Sequence, residues 1–559
     1  SGGNSVALAS FATSNGDLTS GTKCGPTVHG GLDIDGVGGA GQTADAQTVI
    51  NFVLNPNYSS NAYLGQRDPD GWPMGDIYHS TPVVVGIPNQ FYDKDTKNPG
   101  YAGFRSAQAG RETRIYVGGN DGMLHAIQGG AASYNFTTNT WSYAGETGRE
   151  VWAYVPNAAL DSLRDLRLDH ADLVDGTPAA ADVCLGGGGA LACTWRTVLV
   201  SGLRNGGNKY FALDVTDPNT PKFLWETSEA DMGYTWSRPA IARIRVSGDK
   251  YKWVAFVGGG IPAGAGTGNR IYAIDLEDGS IYYEGTVTDY TGANDPQAIT
   301  NGVPGAIRTA GKAYGITDVV YFADLEGKLW RLDVTDTNKS QWKLNVLFDP
   351  YTASAGGQGG GLGAGNRRPG YNAPAVTYAT TATDSAFYIV YGTGNESDSE
   401  AGGSSVQNYV FAVKDTTTGG ENPSGSTVSL LWRTGTPPGS FSGVEALQAG
   451  EKNIGNPLIF GGYAFFTTYL PNFADICEIG NSYLWKVPMY SETGSYPSTK
   501  VAAGEGLPAG PIIVQSPEGT PQVVTATSAA QTGGELIKPL GEATAERLGP
   551  RVESWMEDF

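Results

Sequence analysis

The chain runs to 559 residues with 36 basic and 56 acidic side chains, a formal net charge of -20. That length exceeds the roughly 250 to 300 residues over which one hydrophobic core grows, so several domains or a repeat architecture are implied. The acidic field repels phosphate backbones and anionic headgroups, which argues against nucleic acid as a partner, and no apolar run approaches the roughly 20 residues that span a bilayer. Gly supplies 81 residues and Pro 31, yet 29 Tyr, 18 Phe and 12 Trp set the chain apart from a disordered linker and point to a turn-dense, all-β protein.

Residues 1–42 are rich in Gly, Ser and Thr and read as a loosely ordered segment. The chain opens at Ser1 without Met, so a signal peptide is expected to have been removed. Thr43 to Asn55 places Ala46, Val49, Ile50 and Val53 at helical spacing behind a Thr cap. In "RDPDGWPMGD" the spacing of Asp68, Asp70 and Asp76 opens like a calcium loop. However, Pro73 stands where the loop glycine belongs and no Glu follows at the twelfth position, so a solvated turn is the main reading and a metal site the weaker one. Asp93 and Asp95 are weaker still, with Lys97 at the third ligand position.

"RIYVGGNDGMLHAIQGG", Arg114 to Gly130, is two β-forming runs around Gly, Asn and Asp, the residues that supply the positive φ of tight turns. Related hairpins follow at Thr197–Val215, Trp253–Ser280, Asp318–Val334, Phe387–Asp415 and Tyr463–Met489. A proline opens a short apolar strand ahead of five of the six, at Pro82, Pro178, Pro239, Pro374 and Pro457, where a fixed φ costs no ladder hydrogen bond. Such a period matches β-propeller blades. Two further strands around "SPEG" near the C-terminus are expected to complete a seventh blade with N-terminal strands, closing the ring across both termini. The expected fold is thus an all-β, modified seven-bladed β-propeller over 43–559 with short helices in insertions, one of them spanning Asn157 to Asp169.

Cys184 and Cys193 bracket a glycine-rich turn between neighbouring strands, within reach of a disulfide in an oxidising compartment. The pairing of Cys24 with Cys477 is left open. The histidines, His29, His79, His125 and His170, read as hydrogen-bonded structural residues, His79 and His125 being close enough in the first blade to approach each other. Asp121 is expected to cap its own turn, and Asp76 to do the same. The segment 352–370 reads as a long flexible loop and "NESDSE", Asn395 to Glu400, as a solvated acidic one. No Gly-x-Ser-x-Gly elbow is present, and no glycine-rich run follows a strand and opens a helix, so no catalytic residues are assigned.

Taken in order, "GDIYHSTPVVVG", "YVGGNDGMLHAI", "GREVWAYVPNAAL", "VDGTPAAADV", "TVLVSGLRNGGNKYFALDVTDP", "YFADLEGKLWRLDV" and "VYGTG" resemble the C-terminal propeller of the PilY family of type IV pilus tip and biogenesis factors. The resemblance covers roughly 43–559. It implies a non-enzymatic, cell-surface propeller at the pilus tip, exported through the periplasm. It further implies support of pilus assembly, extension, retraction, twitching motility and adhesion, with major or minor pilins and a host or surface ligand as partners. Family members often carry an N-terminal von Willebrand factor A-like domain that residues 1–42 do not encode, so a processed fragment or short form is expected. The family's Asp-rich calcium loop is not matched either, the corresponding segment offering only Asp295 and Asp318. Two alternatives stand beside this reading. One is a pyrroloquinoline-quinone dehydrogenase, although the vicinal cysteines of that class are absent. The other is a carbohydrate-binding propeller, which would show exposed aromatic clusters on one face.

Overall fold

The structure is a computed structural model that describes residues 6–7, 41–54, 74–90, 92, 100–135, 140–145, 147–160, 162–164, 166, 170–186, 193–247, 250–286, 299–313, 315–352, 360–380, 385–395, 406–435, 444–473, 479–491, 493–515, 521–528 and 538–542. The described strands form seven antiparallel sheets whose order largely follows the chain. Each anticipated hairpin is the second and third strand of a sheet: Thr113–Gly118 with Leu124–Asn135, Thr194–Gly202 with Tyr210–Asp214, and Tyr251–Gly258 with Ile271–Asp275, then Val319–Ala323 with Leu329–Asp333, Ser385–Gly392 with Val410–Asp415, and Tyr463–Leu470 with Asn481–Pro488. The five anticipated prolines each precede a first strand, at Val83, Ala179, Ala240, Ala375 and Leu458, and Pro511 does so at Ile512 in the seventh sheet. This is the all-β propeller architecture expected from the repeat.

Burial explains the strand sequences. Tyr210–Asp214, Ile271–Asp275, Val319–Ala323 and Leu329–Asp333 are buried at every position, so both faces of each strand are covered. They read as near-continuous apolar runs rather than alternating ones. The fourth strands Lys222–Thr227 and Ile281–Gly285 are only partly covered and admit Lys, Glu and Thr.

The aspartate that ends the third strand is a repeated device. In Asp214, Asp275, Asp333 and Asp415, Oδ1 accepts the backbone N–H two residues on, at 3.0, 3.0, 2.9 and 2.8 Å respectively. Oδ2 of each faces a cation: Arg196, Lys252, Arg331 and Arg331 again. One carboxylate thereby turns the chain and neutralises a charge brought in by the sheets. A tryptophan on the outer strand ties successive sheets. Trp152 Nε1 donates to the Pro218 carbonyl at 2.9 Å, Trp225 to Leu276 at 3.1 Å and Trp432 to Pro488 at 3.0 Å, each acceptor lying at or just past the end of the next sheet's third strand.

By contact density the chain divides into two compact units, one of Ser1–Asn135, Trp141–Ile241 and Asp249–Glu284, the other of Phe136–Thr140, Ala242–Gly248 and Gly285–Phe559. The first unit has a core centred on Val198, Val200, Tyr210, Trp225, Trp253 and Tyr272. The second has one built on Val390, Val410, Trp432, Phe466 and Trp485 and another on Val319, Tyr321, Ile389 and Phe411.

Several expectations need correction. The seventh sheet is made of Ile512–Gln515, Pro521–Thr525 and Lys538–Glu542, all from the C-terminal part of the chain. The N-terminal strand Val6–Ala7 instead pairs with Phe223 and Lys222 at the edge of the second sheet. The first helix is found at Gly41–Leu54, with Ala46, Val49, Phe52 and Val53 packed against Leu160 and Leu163. The second expected helix is a single turn, Asn157–Leu160, followed by turns through 162–164, because Leu160 and Leu163 reach that cluster without continuous helical geometry. Tyr101–Ala107 is a helix that the sequence did not signal; Tyr101 anchors it in the core by donating to Asp182 Oδ2 at 2.7 Å. The Cys184–Cys193 disulfide is present, its Cα atoms 5.3 Å apart, at the far end of the second sheet's first hairpin. Cys24 and Cys477 lie outside the described residues. Within the segment 352–370, residues 353–359 lie outside the described residues, and Gly360, Gly361 and Leu362 donate to the carbonyls of Asp349, Thr352 and Pro350 at 3.1, 2.9 and 3.1 Å.

Candidate functional site

In the first unit, the segments that enter the first strands and the turns inside the hairpins meet at the same sheet ends. They approach closely because glycine stands at the contacts. A Cβ on Gly118 would fall 2.0 Å from the Val174 carbonyl oxygen, and one on Gly206 would fall 1.8 Å from that of Leu173. Ser80 fastens the first entry segment, its hydroxyl donating to the Gly176 carbonyl at 3.0 Å and accepting from the Gly118 N–H at 2.9 Å. Ser237 repeats half of this in the third sheet, accepting from the Gly258 N–H at 2.9 Å.

Three residues before each strand-opening proline stand His79, Asp175 and Trp236, so one register position of three successive repeats supplies the centre of the site. Asp175 is buried; its Oδ1 accepts the His79 backbone N–H at 2.8 Å, its Oδ2 pairs with His79 Nδ1, and Arg204 Nε lies 3.9 Å away. The Arg204 guanidinium sits 3.8 Å from the Trp236 ring centroid, a cation–π distance. Trp236 Nε1 donates to Asn205 Oδ1 at 2.7 Å, and Asn205 Nδ2 donates to Asp172 Oδ2 at 2.9 Å. Arg204 has φ +54°, alone in the left-handed region among described non-glycine residues. That conformation costs on the order of 1 kcal/mol, and such strain concentrates at ligand clamps and similar sites. Around this centre Tyr78 is 68 % exposed, Ile77 40 % and Tyr234 39 %, and the His79 ring lies 3.9 Å from that of Tyr78 and 6.2 Å from that of Trp236.

A second network supports the entry segment from beneath. Asp121 Oδ2 accepts the Gly75 N–H at 2.9 Å and Asp121 Oδ1 meets His125 Nε2 at 3.1 Å, while His125 Nδ1 meets Glu150 Oε2 at 2.8 Å. Burial would lower the imidazole's pKa, but hydrogen bonds and charge from Asp121 and Glu150 outweigh it and push the pKa up to about 9. At neutral pH both ring nitrogens therefore carry protons and both donate. Asp76 accepts from Asn120 Nδ2 at 2.7 Å and pairs with His170 Nε2 at 3.0 Å.

These contacts revise several expectations. Asp121 ties its turn to a segment 46 residues away rather than serving only its own turn. His79 and His125 each take their own carboxylates, Asp175 for one and Asp121 with Glu150 for the other. Asp76 serves Asn120 and His170, whereas Asp68, Asp70, Asp93, Asp95, Asp295 and His29 lie outside the described residues. Asp318 is occupied by Arg245 Nη1 at 2.5 Å and the Lys312 N–H at 2.7 Å. Among the described residues, no three His, Cys, Asp or Glu side chains are grouped to hold a metal ion, and no helix is long and apolar enough to cross a membrane. Asp175, Arg204 and Trp236 were not singled out from sequence. The shared spacing of "HSTP", "DGTP" and "WSRP" is the signal that aligns Asp175 and Trp236 with His79.

A family model described as the PilY1 beta-propeller domain matches residues 74–434, which include this site and, apart from the edge strand Val6–Ala7, the first five sheets. The chain belongs to the PilY1 β-propeller family. A type IV pilus biogenesis factor PilY1 of Pseudomonas aeruginosa is 35% identical over 273 residues, 47% of this chain and 21% of the relative. A PilY1 homolog of Xylella fastidiosa is 34% identical over 322 residues, 55% of this chain and 23% of the relative. The matched region is thus less than a quarter of either relative's length. The crystal structure of the Pseudomonas aeruginosa PilY1 C-terminal domain superposes with a TM-score of 0.55 at 23% identity, covering 82% of this chain and 99% of that one, which shows the shared propeller fold.

Proposed function

We propose that the chain is a pilus-associated surface module that supports type IV pilus assembly, extension, retraction and twitching motility, and takes part in adhesion. The family match over residues 74–434 carries this reading, since that family's curated relatives are named type IV pilus biogenesis factors. Its action is binding rather than turnover: sheets buried on both faces hold the entry segments and hairpin turns rigid and present them to partners. Pilins, major or minor, are the partners this reading calls for, and the pilus tip on the cell surface, reached through the periplasm, is the location. A disulfide at Cys184–Cys193 suits such an oxidising route. In-frame deletion of the gene, with complementation, tests the proposal. Loss of surface pili, twitching and attachment is expected, and unchanged piliation and motility would overturn it.

A further inference from the structure

We propose that the face formed by Tyr78, His79, Arg204, Asn205 and Trp236 binds a neutral oligosaccharide. The inference extends the adhesive part of the proposed function. It fails separately from that reading, because sugar binding and pilus assembly are measured independently.

Two independent observations meet here. The first is the exposure of aromatic surface. Tyr78 is 68 % exposed and Tyr234 39 %, with Ile77 at 40 % beside them, and among the described residues Tyr490 is the one other exposed aromatic side chain. A pyranose ring has an apolar C–H face and a polar rim of hydroxyls, and a tyrosine or tryptophan side chain offers a matching apolar face with an O–H or N–H at its edge. The second is the backbone of Arg204, held at φ +54° where its guanidinium covers one side of Trp236. The polar groups around the rings are already oriented. Trp236 Nε1 bonds Asn205 at 2.7 Å, Asn205 bonds Asp172 at 2.9 Å, and Asp175 fixes His79. Donors and acceptors arranged in this way can engage vicinal hydroxyls without first being ordered, which lowers the entropic cost of binding.

Size and charge select the ligand class. A standard protein interface takes about 800 Å² and 20 to 30 residues from each partner, many more than the few exposed side chains here. The Arg204 charge lies 3.9 Å from the buried Asp175 carboxylate, and Asp172 accepts from Asn205 at its edge, so among the described residues Arg204 and the acids beside it give the face no cationic excess to hold a polyanion. A short neutral glycan suits both constraints.

The test is binding of the purified chain to a printed array of neutral hexose and N-acetylhexosamine oligosaccharides, alongside uronate- and sialate-terminated ones and purified pilin. The expected result is binding to a neutral oligosaccharide that falls at least tenfold in Tyr78→Ala and in Trp236→Ala, while Tyr490→Ala, an exposed tyrosine of the other unit, binds like the parent. Tyr78 is 68 % exposed, so Tyr78→Ala is expected to melt at the parent's temperature and still to bind the sugar more weakly, a combination that a purely structural role would not give. The proposal is overturned if the parent binds no neutral oligosaccharide, if Tyr78→Ala and Trp236→Ala bind as well as the parent, or if these substitutions abolish only pilin or acidic-glycan binding.

Discussion

Replacing Asp415 by alanine strikes the most deeply buried ion pair between neighbouring sheets among the described residues of the second unit. Asp415 has no solvent exposure and Arg331 has 1 %. Arg331 Nε donates to Asp415 Oδ2 at 3.0 Å and Nη2 to Asp333 Oδ2 at 3.1 Å, while the Tyr321 hydroxyl reaches the same Asp415 oxygen at 2.6 Å and the Thr417 N–H reaches Oδ1 at 2.8 Å. Removing one member of a buried pair costs about 3 to 5 kcal/mol; Arg331 keeps Asp333 as its partner, and the cost here rests on the lost Arg331–Asp415 bond and on the donors left behind. The orphaned Tyr321 and Thr417 donors pull toward the upper end of that range. Replacing Arg331 by methionine as well strips the buried Asp333 carboxylate of its cation, so the double variant is expected to be no more stable than Asp415→Ala alone. Native-state hydrogen exchange of the amides in Leu329–Asp333 and Val410–Asp415 reads this locally. The reasoning is refuted if Asp415→Ala lowers protection there by less than about 1 kcal/mol, or if the double variant is more stable than the single one.

Three further outcomes are expected. Reducing or removing the Cys184–Cys193 bridge, which closes a loop of sequence separation 9, lowers stability by about 2.5 kcal/mol on a chain-entropy basis, read as a shift in urea midpoint with and without a reductant. The folded-state pKa of His125 is raised to about 9, so its contribution is complete below the unfolded value of about 6.5 and is lost as pH rises through 9. Stability of the first sheet should fall by on the order of 2 to 3 kcal/mol over that window, and His125→Gln should flatten the profile. Gly118→Ala would place a methyl 2.0 Å from the Val174 carbonyl oxygen, a backbone atom that yields only if the sheets separate, and should cost about 2 kcal/mol or more in thermal unfolding.

The fold was legible because its signal is periodic. Strands such as "YFALD" and "LWRLD", buried on both faces, must be apolar at nearly every position, and their turns require glycine, asparagine or aspartate. Six hairpins and five strand-opening prolines could therefore be located from the chain alone. Elements set by tertiary packing were less visible. The helix at Tyr101–Ala107 is short and glycine-containing and is held by Tyr101 in a core contributed by distant strands. The partner of the N-terminal strand was not visible because Val6–Ala7 offers only two ladder positions and no distinctive pattern.

The candidate site was half legible. His79 and Asp76 were noticed for their chemistry, but their relation to Asp175, Arg204 and Trp236 spans about a hundred residues or more and exists only once successive sheets stand side by side. What the sequence does hold is the common register three residues ahead of a proline. A repeat fold turns that register into adjacency.

The most direct test of the proposed function is quantitative recovery of this chain from pili sheared off intact cells, combined with cross-linking to pilin. The account predicts enrichment of the chain in the pilus fraction and cross-links from its propeller to a pilin. Its absence from that fraction, with pili assembled normally, would contradict the proposed role.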